Sequence, residues 1–302
     1  MRSIIIIIVI VLSTAGCRQD PRNIQTVDFA RELDGEDRQA GKARETLKVA
    51  VSAMLSPRET FSSYEALLNH IAYELDVSLE FHQRRTYSEI NNMLESGQLD
   101  FAFICSGAYV ELNQDSGTEL LTVPVVNGKP LYQAYIIVNS NTGADKLTDL
   151  KGASFAYTDL LSNAGYFYAL YRIIEERENP DSFFSSTIFT NAHDLSIQMV
   201  ARGLVDGATV HANMFEYIKA KDPASVRNIR IIETSPWFGI NPVVASFYME
   251  GRFKEKVRDV LHNMHLDDSL SKIINSLQID RFTTGNDSDY DIIRMMKENI
   301  RN

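Results

Sequence analysis

Apolar residues along this chain switch between a period of two and a period near 3.6, and that switching predicts a β/α rhythm. Leu47-Lys48-Val49-Ala50-Val51 reads as a first strand, followed by a polar loop from Ser52 to Phe61. Leu67, Leu68, Ile71, Ala72 and Leu75 then recur at helical spacing. Val77 to Phe81 alternates as a strand does, and Tyr87 to Glu95 reads as a helix ended near Gly97. Asp100 to Cys105 is a buried strand, Ser106-Gly107-Ala108 a tight turn, and Tyr109 opens another helical segment. Such an order implies α/β architecture with mostly parallel sheets flanked by helices.

Leu120 to Val126 and Tyr132 to Val138 are β-rich, and a second β/α series begins at Ser154. It runs through Thr187-Ile188-Phe189, a helix from Asp194 to Arg202, the strand Gly207–Val210, a helix from His211 and the strand Ile229–Glu233. Val243 to Tyr248 returns as a strand, and the remainder is helical. Chain crossings near 139–143 and 234–242 predict two lobes around a cleft. Residues 46–138 with 243–302 would form one lobe and 139–242 the other. Hinge closure over a ligand is a recognised motion of such an arrangement.

One stretch carries a chemical signal. Ser154-Phe155-Ala156-Tyr157 is a short strand, Thr158 to Gly165 a polar turn, and Tyr166 to Glu176 a helix with Phe167, Leu170, Tyr171 and Ile174 on one face. Ser162 suits an N-cap, and small residues fill the first turn. Backbone N–H groups there would face the space above the strand, where the helix dipole favours an anion. The same pattern also describes an ordinary capped connection.

The N-terminus changes the picture of where the chain resides. Ile4 to Leu12 is an unbroken apolar run, too short to span a membrane and suited to a secretion signal. Thr14-Ala15-Gly16-Cys17 follows and resembles a lipobox, with residues 1–16 removed and Cys17 lipidated. Thr14 stands where that motif usually has Leu. Residues 17–45 are charged, with few apolar residues, and read as a flexible tether. Cys105 is the only other cysteine and reads as a packed thiol. The net charge of −10 and the absence of any Lys/Arg cluster argue against nucleic acid as a partner. A local nest of N–H groups can still bind a small anion within a negative chain.

Four segments, taken in order, resemble the phosphate/phosphite/phosphonate-binding proteins of bacterial ABC transporters. Asp100-Phe101-Ala102-Phe103-Ile104-Cys105-Ser106-Gly107-Ala108-Tyr109 is similar to that family's D-x-[AG]-F-L-G-P-x-x-Y run. Phe155 to Tyr166 is similar to F-A-x-x-D-P-x-S-T-S-G-Y, and His193 with Met199 to Ala208 to H-x5-A-V-x2-G-x-V-D-A-A. Ser235-Pro236 to Asn241-Pro242-Val243-Val244 completes the set. The resemblance implies the two-lobed type II periplasmic-binding-protein fold and a monomer anchored at the extracytoplasmic side of a membrane. It implies that Ser162, Asn163, Ala164 and Gly165 bind an oxyanion, chiefly through backbone N–H groups. His193 would donate to an anion oxygen, and Phe103 and Tyr109 would line the cleft. Asn213 and Asn241 stand where aminophosphonate-binding members have acids, and His211 faces the same region.

No CxxC, HExxH, P-loop or GxSxG pattern is present, so neither catalysis, a metal nor a cofactor is expected. The expected role is capture of phosphate, phosphite or a phosphonate for an ABC permease. A receptor presenting its ligand to a membrane sensor, or a secreted enzyme using the cleft, are the alternatives.

Overall fold

The computed structural model describes residues 45–301. The apolar leader, Cys17 and the charged stretch to residue 44 lie outside the described residues. The first unit runs β1 (Thr46–Val51), α1 (Pro57–Leu75), β2 (Ser78–His82), α2 (Tyr87–Glu95), β3 (Phe101–Phe103), α3 (Ser106–Val110) and β4 (Glu119–Val125). After the short β5 (Leu131–Tyr132) come β6 (Ala134–Asn139), β7 (Ser154–Tyr157), α4 (Tyr168–Glu175), α5 (Pro180–Phe183) and β8 (Ser186–Phe189). Next are α6 (His193–Ala201), β9 (Gly207–His211), α7 (Ala212–Lys221) and β10 (Ile229–Thr234). The return passes β11 (Phe238–Gly239), β12 (Val243–Ala245), α8 (Gly251–Asn263), α9 (Asp268–Ser276), β13 (Arg281–Thr283) and α10 (Asp291–Arg301).

Two main sheets result, ordered β13-β4-β12-β3-β1-β2 and β10-β6-β9-β7-β8. Each is parallel in one half, β2-β1-β3 and β8-β7-β9, where helical crossovers connect the strands. Each is antiparallel in the other, so the mostly parallel pattern expected from the crossovers holds for half of each sheet. The antiparallel strands include those that carry the chain between sheets. β5 and β11 pair with each other, Tyr132 opposite Phe238, and form a ribbon where the two crossings run side by side. The first crossing lies upstream of the expected 139–143, because Ala134–Asn139 pairs with β9 and β10 and so belongs to the second sheet. α10 packs on both α3 and α4, so the C-terminal segment touches both units.

Local chemistry explains the element ends. α1 begins at Pro57, inside the segment read as a polar loop, because Pro57 occupies its first turn and Thr60 Oγ1 bonds the Leu55 carbonyl at 2.9 Å. Its core face is Leu67, Leu68, Ile71 and Leu75, as the spacing predicts. α2 starts at Tyr87 behind a capping box, with Glu89 N–H on Thr86 Oγ1 and Thr86 N–H on the Glu89 carboxylate. Asp206 accepts both the N–H and the hydroxyl of Ser154, tying the start of β7 to the turn before β9. No helix among the described residues is long and apolar enough to cross a membrane.

Candidate functional site

The Thr158–Phe167 turn is fixed from several sides. Ser162 Oγ accepts Gly165 N–H at 3.0 Å, and the Ser162 carbonyl accepts Phe167 N–H at 3.0 Å. Asn163–Phe167 makes a single π-helical turn before α4. Thr209 Oγ1, on β9, donates to the Ala164 carbonyl at 2.6 Å. Gly165 is obligatory, since a Cβ there would lie 1.7 Å from Thr158 Oγ1 and 2.8 Å from Ser162 Oγ. Ser162, Asn163 and Ala164 are fully buried.

Residues from the first unit and the ribbon close over this turn. Asn163 Nδ2 donates to Tyr132 Oη at 2.8 Å, and Ser106 Oγ hydrogen-bonds the same phenol at 2.8 Å. The His211 ring stacks on Tyr132 at 3.9 Å. Met54, Tyr87, Cys105 and Ala108 form a small buried cluster with Leu161 packed against it. Burial pushes the Cys105 thiol up. The N–H groups of Asn163, Gly107 and Ala108 and the Ser162 hydroxyl act the other way. Burial also raises Tyr87 well above the ordinary phenol range, with Cys105 and Asp159 adding to it. The turn's polar groups are thus met here by Ser162 Oγ, Tyr132 Oη and the Cys105 sulfur.

The two units are in a closed arrangement. A Cβ on Gly107 would lie 2.3 Å from the Leu161 carbonyl oxygen and 2.5 Å from the Asn163 nitrogen. Tyr87 N–H donates to Asp159 Oδ2 at 3.0 Å, and Ser56 N–H to Asp194 Oδ1 at 2.9 Å. His193 N–H donates to the Met54 carbonyl at 2.9 Å, and Lys221 pairs with Glu59 at 2.6 Å. Burial raises the pKa of both Asp159 and Asp194, against the backbone donors that each accepts.

The histidine pair has a defined protonation pattern. His211 N–H donates to His193 Nδ1 at 3.2 Å, and Asn213 N–H donates to His211 Nδ1 at 3.2 Å. An Nδ1 that accepts carries no proton, so each neutral ring holds its hydrogen on Nε2. Both Nε2 atoms are buried without a partner among the described residues, as are Tyr87 Oη, Asn163 Oδ1 and Ser52 Oγ. Burial lowers the His193 pKa to about 3. His211 lies well below its ordinary value through burial, with His193 adding. Both rings are therefore neutral N–H donors at physiological pH.

The other residues singled out in the sequence fall in different places. Asn241 reaches the closing face: its Oδ1 accepts Ser106 N–H at 3.0 Å, and its Nδ2 faces Met54 Sδ. Asn213, half-buried, meets the pair through its backbone. Phe103 packs edge-on against Tyr64 at 5.3 Å, in the core of the first unit. Tyr109 turns away to the C-terminal segment, its hydroxyl donating to Asp287 at 2.8 Å and its ring on Tyr290 at 4.6 Å. Its motif spacing carries no information on which way the ring points. Tyr87, Tyr132 and Met54 were not anticipated. The first opens a helix and the second lies in a β-rich run, so neither has a local signature; Met54 lay in a segment read as loop.

Two α/β units crossed twice by the chain and closed over a buried polar cluster define a type II periplasmic-binding-protein fold. A binding-protein component of an ABC phosphonate transporter from Pseudomonas aeruginosa superposes with a TM-score of 0.80 at 21% identity, covering 85% of this chain and 87% of that one. The family model described as ABC transporter, phosphonate, periplasmic substrate-binding protein matches residues 49–290, and the chain belongs to that family. Among curated relatives, the phosphonates-binding periplasmic protein of Escherichia coli is 21% identical over 74% of this chain and 68% of its own length. The phosphate-import protein PhnD of Mycolicibacterium smegmatis is 25% identical over 62% of this chain and 63% of its own length.

Proposed function

We propose that this chain captures a small phosphorus oxyanion between its two units and hands it to an ABC permease. The observation that carries this is the pair of buried, tautomer-locked Nε2–H donors of His193 and His211 beside the Ser162–Gly165 turn. Neutral donors suit an anion, because a buried N–H gains most from an ionised acceptor. Family membership and the relatives' described phosphonate and phosphate roles support the same ligand class. Binding is differential: the closed form brings donors from both units together, so ligand shifts the equilibrium toward closure. No bond is made or broken, and the chain acts as a monomeric receptor without catalysis. Lipid on Cys17 would hold it at the outer face of a membrane, which metabolic labelling with a fatty acid would report.

The ligand should lack an amine. Asn213 and Asn241 offer carbonyl oxygens but no charge. The acids at the closing face, Asp159 and Asp194, are each occupied by backbone N–H groups. An unpaired ammonium buried there is costly. Methylphosphonate should therefore outcompete aminoethylphosphonate by at least about tenfold, roughly 1.4 kcal/mol. Competitive titration at one pH and ionic strength measures this; equal or tighter binding of the amino compound contradicts it.

A further inference from the structure

We propose that Met54 determines ligand size in the closed cleft, limiting the substituent on the oxyanion to a short, uncharged group. This rests on the oxyanion reading of the donor cluster. Two observations meet at this residue. On one side its buried side chain packs with Tyr87, Cys105 and Ala108, against the turn that carries Ser162 and Asn163. On the other it walls a compartment of about 30 Å³ shared with Val51, Ser52, Tyr64, Met214 and Tyr217. That volume is on the order of one water molecule. The compartment is assembled from both units, the first giving Val51 to Tyr64 and α7 giving Met214 and Tyr217. It is therefore formed only when they meet.

Met54 is held in place at both ends. Its carbonyl accepts His193 N–H, and its sulfur faces Asn241 Nδ2. The methionine chain thus divides the donor cluster from the small compartment. A ligand held by the donors would turn its substituent toward this wall. Truncating Met54 removes the three atoms beyond its β-carbon and joins the two spaces. No charged residue lines the compartment, and the groups around it are apolar or hydroxylic. Ser52 Oγ is buried there without a partner among the described residues, and burial pushes the Tyr64 phenol up to about 12, with Tyr217 adding. A charged substituent finds nothing to pair with, whereas a short apolar one meets methionine and valine.

Calorimetric titration with methylphosphonate and propylphosphonate tests this on the full chain, on Met54→Ala and on the milder Met54→Val. The parent should prefer methylphosphonate by at least tenfold. Met54→Ala should shrink or reverse that ratio by at least tenfold, and Met54→Val should move it the same way by less. Should Met54→Ala fail to fold, the direction of the Met54→Val shift decides. A parent that binds both equally, or variants that keep the parent's ratio, overturn the role of Met54 and leave the oxyanion site standing. A parent that binds neither phosphonates nor phosphate overturns the site reading, and the Met54 role with it.

Discussion

Gly107→Ala is expected to keep the two units apart, weakening binding of methylphosphonate or phosphate at least a hundredfold while both units stay folded. Gly107 lies in α3, where alanine is the better helix former by about 1 kcal/mol, so the free protein should lose no stability. The cost appears only on closing. The new Cβ would sit 2.3 Å from the Leu161 carbonyl oxygen and 2.5 Å from the Asn163 nitrogen, both backbone atoms of the opposite unit. That backbone cannot retreat freely. Ser162 N–H is bonded to the Asp159 carbonyl at 2.9 Å, and Phe167 N–H to the Ser162 carbonyl at 3.0 Å. A hundredfold loss corresponds to about 2.8 kcal/mol, within reach of an overpacked contact. Small-angle scattering with saturating ligand should show compaction of the parent and none of the variant. Trp237, stacked under Lys129 at 4.2 Å beside the ribbon, gives a fluorescence readout of the same step. Native affinity and native compaction in Gly107→Ala would refute closure at this contact.

Stability of the closed form should fall as pH drops below about 6.5. His193 has a pKa lowered to about 3, and burial is the cause. Its unfolded value is about 6.5, so below that pH the unfolded chain takes up a proton that the folded chain refuses. The stabilising contribution is whole above pH 6.5 and is lost as pH falls toward 3. The slope is up to about 1.4 kcal/mol per pH unit for each such histidine. His211 acts with the same sign. His82 and His262 are also lowered, burial being the largest cause for each. Asp159 and Asp194 work oppositely at lower pH, because a carboxylate with a raised folded pKa favours the folded state as it protonates. Urea unfolding at pH 7.5, 6.5 and 5.5 measures the slope, and His193→Gln should reduce it by one histidine's share. An identical slope in that variant would contradict the assignment.

The sequence discloses the strand–turn–helix from Ser154 onward because its signals are local. An alternating strand, a serine cap and small residues at the turn need no tertiary information, and β7 and the 162–165 turn lie where these place them. Long-range pairing is less legible. Ala134–Asn139 has the composition of a strand in either sheet, and only its pairing with β9 and β10 assigns it. Burial periodicity likewise says which residues are inside but not what they face. Cys105 is packed, as an apolar run implies, yet its sulfur meets the Asn163 N–H and the Ser162 hydroxyl of the opposite unit. Tyr109, from the same motif, points to Asp287 instead. The protonation pattern of His193 and His211 depends on two backbone donors 18 and 2 residues away, which spacing alone does not reveal.

The most direct test is a long-range ¹H–¹⁵N spectrum of the histidine side chains, recorded near pH 7 with and without saturating methylphosphonate. Free protein should show His193 and His211 as neutral rings protonated on Nε2. With ligand, both Nε2–H signals should move to the positions of strong hydrogen bonds to an anion while Nδ1 stays unprotonated. Saturable binding that leaves both signals unmoved would place the oxyanion elsewhere and contradict the account.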